Sequence, residues 1–174
     1  IVWDDRRVPH IYASNDYDLF FVQGYLHAFD SLWQMDFQVI GAAGRVSEIL
    51  GIQAIEYDRF KRRIGMIYGA EKTLELYNSD PEMKIILSAY TNGINAYINS
   101  LSTNEYPLEY KILDYEPEQW TNKKTALLYM YMAWMLTGNS DDLEHTKIIN
   151  KFGINSYNKL FSVYPINDEP IVSK

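Results

Sequence analysis

Three groups of side chains in this sequence have the chemistry for a site: its histidines, one cluster of carboxylates, and methionines set beside a tryptophan. The histidines are His10, His27 and His145, and no spacing among them brings two onto one metal ion. His27 falls inside a long apolar stretch, where a hydrogen-bonded core histidine is the commoner role and a general base the rarer. Asp141, Asp142 and Glu144 follow a Gly138-Asn139-Ser140 turn. Oxygen donors at that density suit a hard cation, and acids favoured by the dipole of a helix N-terminus account for them equally well. Met130, Met132 and Met135 flank Trp134, a soft apolar group that fills a core as readily as it lines a pocket. The pairs Asp4/Asp5 and Glu116/Glu118 fall in turns and carry no pattern. There is no G-x-S-x-G, no H-E-x-x-H, no phosphate-cradling glycine loop and no dinucleotide fingerprint. With no cysteine, disulfides and thiolate chemistry are also out. On its own residues the chain holds no self-sufficient active site.

The elements that would position these groups are mostly helical. From Asp16 the apolar residues Leu19, Val22, Leu26, Phe29, Trp33 and Phe37 recur at helical spacing, flanked by a second apolar set. Ser14 or Asn15 caps this helix, Gly41 and Gly44 break it, and a short second helix from Arg45 ends on Gly51. Ile52 to Tyr77 reads as a helix bent at Gly65 and Gly69. Its apolar side holds Ile55, Phe60 and Ile64, and its polar side Asp58, Arg59, Lys61, Arg62 and Arg63. Pro81 opens a further helix that ends near Leu101. A connector over 102–119 contains a short extended piece at Leu108 to Leu113. Thr121 caps a helix apolar nearly all round, which reads as buried. Helices from Asp141 to Gly153 and from Ile154 to Phe161 follow, then a loosely tethered tail. Before all of these, Ile1 to Ala13 reads as strand, tight turn and strand. The fold class is α+β, mainly α with a short N-terminal hairpin, and 1–174 shows no internal boundary.

The chain has 174 residues, 47% of them hydrophobic, enough to bury a core. Its net charge of -7 argues against nucleic acid or an anionic membrane as partner. No apolar run is long enough to span a bilayer. The opening on Ile1, without a signal peptide, reads as the product of an upstream cut.

Beyond periodicity, the wording is specific. VPHIYA at Val8 to Ala13, DLFFVQGYLHAFDSLWQMDF at Asp18 to Phe37, and AAGRVSEILG at Ala42 to Gly51 resemble the penicillin acylase (penicillin amidase) family. PLEYKIL from Pro107, PEQW from Pro117 and MAWMLTGN from Met132 continue the resemblance in the family's order. It implies the α subunit of an N-terminal nucleophile hydrolase, a precursor that cuts itself into α and β chains. The implied complete fold is a four-layer αββα assembly closed by the β chain. The nucleophile would be the first residue of that β chain, a serine whose own α-amino group serves as base. This accounts for an α chain with no catalytic residues.

Carried over residue by residue, the resemblance places Met132 and Leu136, with Met135 beside them, in the acyl-binding pocket. Leu136 stands where penicillin G enzymes have an aromatic residue, which favours aliphatic or mixed acyl groups, acyl-homoserine lactones included. One calcium ion is implied, shared with the β chain, through Asp142 or the longer-reaching Glu144. A small N-acyl amide substrate and a periplasmic or secreted location are implied as well. Three departures stand out: Arg7 replaces a turn glycine, and Phe29 and Ser31 replace a polar glutamine and arginine. The alternatives are an acyl-homoserine-lactone acylase of the same family, or a non-catalytic helical binding domain cut from such a protein. An isolated α chain is expected to be inert and poorly soluble.

Overall fold

A computed structural model describes residues 1–137 and 141–161. The described residues fall into two compact units, one through Met135 and one from Leu136 onward.

The first unit opens on an antiparallel hairpin of β1 (Val2–Trp3) and β2 (Pro9–His10), with Val2 opposite His10. Asp4 organises its turn: one carboxylate oxygen accepts from the Arg6 and Val8 amides at 2.9 and 2.8 Å. Those amides, the Val8 one foremost, hold its pKa below the usual carboxylate value. Arg7 takes the left-handed conformation, φ 61°, that a glycine would adopt without strain.

Helix α1 (Asp16–Ala43) starts where the Asn15 side chain accepts from the Asp18 amide, and ends on Gly44 at φ 65°. Gly41 lies inside the helix rather than ending it, because Gly44 supplies the left-handed cap. The helix kinks at Ser31 (φ -143°), whose hydroxyl donates to Asp30. Helix α2 (Ser47–Leu50) and a 3-10 turn (Gly51–Ala54) lead to α3 (Ile55–Ile64). The expected single bent helix is two: Gly65 at φ 78° separates α3 from α4 (Met66–Ser79), and Gly69 sits within α4. Asp80 accepts from two amides of the first turn of α5 (Pro81–Ser100).

Helices α1 and α5 form the most extensive pairing in the chain. Their backbones meet at two glycines. A Cβ on Gly24 would run into the Tyr90 carbonyl, and one on Gly93 into the Phe21 carbonyl. Ala28, Leu32, Ile94 and Ile98 build the core on either side of this crossing.

The piece expected to be extended is helical: α6 (Leu108–Leu113) runs from Pro107 to Asp114 in the left-handed region. One helical turn lets Tyr110 point inward while Leu108 and Ile112 stay exposed, whereas a strand would put all three on one face. Helix α7 (Asn122–Leu136) is buried only over its first half, at Lys124, Ala126 and Leu127. Tyr129, Met132, Trp134, Met135 and Leu136 are exposed, contrary to the expectation from an apolar circumference. On α3 the expected faces hold for Arg59, Arg62 and Arg63, which are exposed, and fail at four residues. Asp58 and Lys61 point inward, and Phe60 and Ile64 face out.

The second unit is a helical pair, α8 (Asp142–Phe152) and α9 (Ile154–Leu160), hinged at Gly153. The Gly138-Asn139-Ser140 turn and the tail beyond Phe161 lie outside the described residues. Among the described residues no helix is long and apolar enough to cross a membrane.

Candidate functional site

The start of α7 is held by a buried ionic cluster, and that anchoring fixes where its outer end projects. Asp36 of α1, 1% exposed, accepts from the Lys124 ammonium at 3.2 Å and from the Tyr110 hydroxyl at 3.2 Å. Lys124 also meets Glu118 at 3.0 Å, and Arg45 grips Glu118 through two nitrogens at 2.6 and 3.2 Å. Burial raises the Asp36 pKa despite the facing ammonium. It raises Tyr110 far more, aided by the Asp36 charge. Glu118 is held down to about 2, chiefly by its hydrogen bonds from Arg45. Each carboxylate oxygen of Asp36 and Glu118 accepts from at least one side chain of the cluster, which engages both acids in structural pairs. The cluster's work is positional. Nearby, Asn95 brackets Trp120 by accepting from its amide and donating to its carbonyl.

The outer end of α7 carries the expected acyl-binding residues. Met132 and Leu136 are one turn apart, Met135 lies beside them, and all three are exposed, Leu136 at 77%. Met132 and Met135 give the first unit an exposed apolar end, and Leu136 begins the second unit. A hollow of about 280 Å³ opens beside Tyr131 of the same helix, lined also by Phe37, Gln38, Gly41, Val46 and Tyr57.

Under this end of α7 lies Lys61, only 2% exposed. Its ammonium sits 3.3 Å from the centre of the Trp134 ring, 5.0 Å from that of Tyr131 and 5.3 Å from that of Tyr57. Burial pulls its pKa below the ordinary lysine value. Phe60, one residue earlier and on the outer side, meets Trp134 edge to face at 6.4 Å.

The other candidates have local roles. Asp142 and Glu144 open α8. Both are exposed, Glu144 pairs with Lys147 at 2.6 Å, and the Asp142 carbonyl accepts from Thr146. Among the described residues no group of three metal-binding side chains forms. His10 faces Asp4 at 3.3 Å, and His145 meets Tyr157 at 3.1 Å. His27 is hydrogen-bonded as expected, to the Tyr90 hydroxyl at 2.9 Å, but it is exposed rather than in the core. Phe29, the first of the two replaced polar positions in α1, joins an aromatic row with Trp3 and Tyr97. Sequence reasoning missed Asp36, Lys61 and Lys124. The available signal was a single charge flanked by apolar residues one turn away on each side, as at Asp36.

Residues 1–168 match the family model described as penicillin amidase. The chain is 30% identical over 169 residues to the acyl-homoserine lactone acylase QuiP of Pseudomonas syringae pv. tomato, covering 96% of this chain and 20% of that protein. It is 39% identical over 117 residues to the penicillin acylase 2 proenzyme of Pseudomonas sp. strain SE83, covering 67% of this chain and 15% of that one. A solved thermostable penicillin G acylase from Alcaligenes faecalis superposes with a TM-score of 0.78 at 21% identity. That match covers 99% of this chain and 95% of the solved one. The chain thus spans about a fifth of the length of the curated relatives it matches.

Proposed function

The chain belongs to the penicillin amidase family, and on that premise we propose that it is the α subunit of an N-terminal nucleophile amidohydrolase that cleaves acyl amides. The observation that carries this reading is the two-way coverage of the solved penicillin G acylase chain. That enzyme contains a polypeptide of this extent, matched almost end to end. A chain of about a fifth of its relatives' length, with no free base or nucleophile in its described core, fits a subunit that shapes and positions while its partner reacts.

In this reading a β chain opens with serine, whose hydroxyl attacks the acyl carbonyl while its own α-amino group takes the proton. The β chain also closes the four-layer αββα fold. The α chain contributes the apolar end of α7, where Met132, Met135 and Leu136 receive the acyl group. An aliphatic Leu136 and two thioethers make a deformable wall without a ring to stack on. That supports aliphatic as well as aryl acyl groups, and the acyl-homoserine lactone acylase among the relatives favours the same widening. Calcium, shared with β-chain oxygens, would use Asp142 or Glu144. These two carboxylates are exposed and two residues apart, which suits a hard cation only when further oxygens complete the shell. Export to the periplasm or the exterior completes the proposal.

The test is intact-mass and N-terminal sequencing of the protein purified from its full-length gene, followed by acyl-chain profiling on chromogenic amides. A larger second chain beginning with serine, and amide hydrolysis by the pair, are the expected results. A single stable species of about 20 kDa that hydrolyses nothing would replace this reading with a non-catalytic helical domain.

A further inference from the structure

Lys61 of α3 has surroundings that its contacts among the described residues do not account for. A buried ammonium ordinarily has an acid or several acceptors around it. Lys61 has three aromatic rings, and among the described residues neither an ion pair nor a hydrogen bond. The acids near it in sequence are committed elsewhere. Asp58 accepts from the Val46 and Ser47 amides at 2.9 and 2.7 Å, and Glu56 pairs with Arg59. Helix α7, which brings Tyr131 and Trp134 against it, contains no acid at all. Ring faces attract a cation, but by less than a desolvated carboxylate does.

The surface over this lysine is apolar. Phe60 and Ile64 of α3 face outward, Trp134 is partly exposed, and Met135 lies next to it. We propose that Lys61 is the docking point for a carboxylate of the β chain, with Phe60 and Trp134 as the apolar rim of that contact. This rests on the reading of the chain as an α subunit. The occupant follows from three observations. Relatives carry about four fifths of their length beyond the matched part, so in the two-chain reading a large partner from the same precursor is available to cover the face. The acids of α3 are engaged elsewhere and α7 has none, so the charge complement of this buried cation has to come from outside the described residues, and a carboxylate supplies it. Reaching the ammonium requires passing or tilting Trp134. A permanent partner offsets that displacement by burying Phe60 and Ile64, whereas a small diffusing acid does not.

The proposal is tested on the processed two-chain enzyme from the full-length gene, comparing wild type with Lys61→Met, Lys61→Gln and Lys61→Arg. Subunit dissociation in urea is followed by size exclusion. Turnover per heterodimer is measured on benzylpenicillin, which bears a carboxylate, and on phenylacetyl-4-nitroanilide, which does not. The expected result is a dissociation constant raised about 30-fold or more by Met and by Gln, and largely restored by Arg. The ratio of kcat/KM for the two substrates should stay constant. Lys61→Gln keeps the test decisive if the Met variant is not recovered. Neutral variants that assemble as tightly as wild type overturn the proposal. So does intact assembly with a selective loss on benzylpenicillin, which would make Lys61 a reader of substrate. If wild type itself yields no second chain, the subunit reading fails first, before any substitution is made.

Discussion

The two halves of α7 meet fates opposite to their composition: the half with Asn122, Lys123, Lys124 and Thr125 is the buried one, and the apolar half is exposed. From Lys124 to Leu127 the helix is sealed against α1 and the Trp120 segment; from Tyr129 to Leu136 it stands largely open. Amino-acid composition alone would bury the other half. What decides is the covering surface that the described residues supply, which ends after the second turn. The inner half is packed within the first unit, and the outer half is the surface that the proposed β chain would cover. The same split runs across α3, which turns Asp58 and Lys61 inward and Phe60 and Ile64 outward.

If the inner half is complete, damage there should be large. Asp36→Ala would leave the buried Lys124 ammonium with Glu118 alone and take the acceptor from Tyr110, and a loss of about 3 kcal/mol, the low end for a broken buried pair, is expected in urea unfolding. Gly93→Ala should cost about 3 kcal/mol, the upper end for overpacking, because the obstacle is the Phe21 carbonyl of a paired helix rather than a yielding side chain. Thermal unfolding checks it, and a normal melting temperature would show that the α1–α5 crossing can open. In the outer half, Met132→Ala and Leu136→Ala should alter the stability of the chain by no more than about 0.5 kcal/mol. Leu136→Phe in the assembled enzyme should instead raise the preference for arylacetyl over aliphatic amides by about tenfold in kcat/KM. An outer-half substitution as costly to the chain as Asp36→Ala would erase the distinction.

Acid offers a finer test of the anchor. Glu118, held near pKa 2 against an ordinary 4.5, stabilises the fold above about pH 4.5. That contribution is lost as pH falls from 4.5 towards 2. Asp36 has the opposite sign, since its raised pKa means that the folded state takes up its proton more readily than the unfolded one. Glu118→Gln should therefore flatten the fall in melting temperature below pH 4.5. Because Glu118 is partly solvated, the effect should be modest. Smallest of all, Arg7→Gly should stabilise the chain by up to about 1 kcal/mol by relieving a left-handed arginine, partly offset by the entropy of a freer unfolded chain.

Helices with a cap and a one-sided stripe were legible from sequence. The Asn15 and Asp80 caps, the Gly44 and Gly153 stops and the hairpin at Val2 to His10 are where local chemistry puts them. Leu108 to Leu113 misread because six residues hold too little period to separate strand from helix, and the deciding term is the distant Asp36 that Tyr110 must reach. The α3 face misread for a related reason. Periodicity assumes that charge faces water, and Asp58 instead serves the amides at the start of α2 while Lys61 lies against rings. The exposure of Met132, Met135 and Leu136 was hidden altogether, since an apolar helix looks the same whether its own chain or another covers it.

The glycine crossing of α1 and α5 also bears on the order in which the chain forms. Gly24 meets Tyr90 and Gly93 meets Phe21, contacts that close a long loop of intervening sequence. At about 5–20 residues per second of synthesis, α1 leaves the ribosome several seconds before the helix that covers it. For that interval its apolar stripe has the N-terminal hairpin, through Trp3 on Phe29, and α3 and α4 to lean on. The slow step in forming this chain is therefore expected to be the long-range closure of α5 onto α1. Until then, the nascent protein exposes the very stripe that later becomes its core.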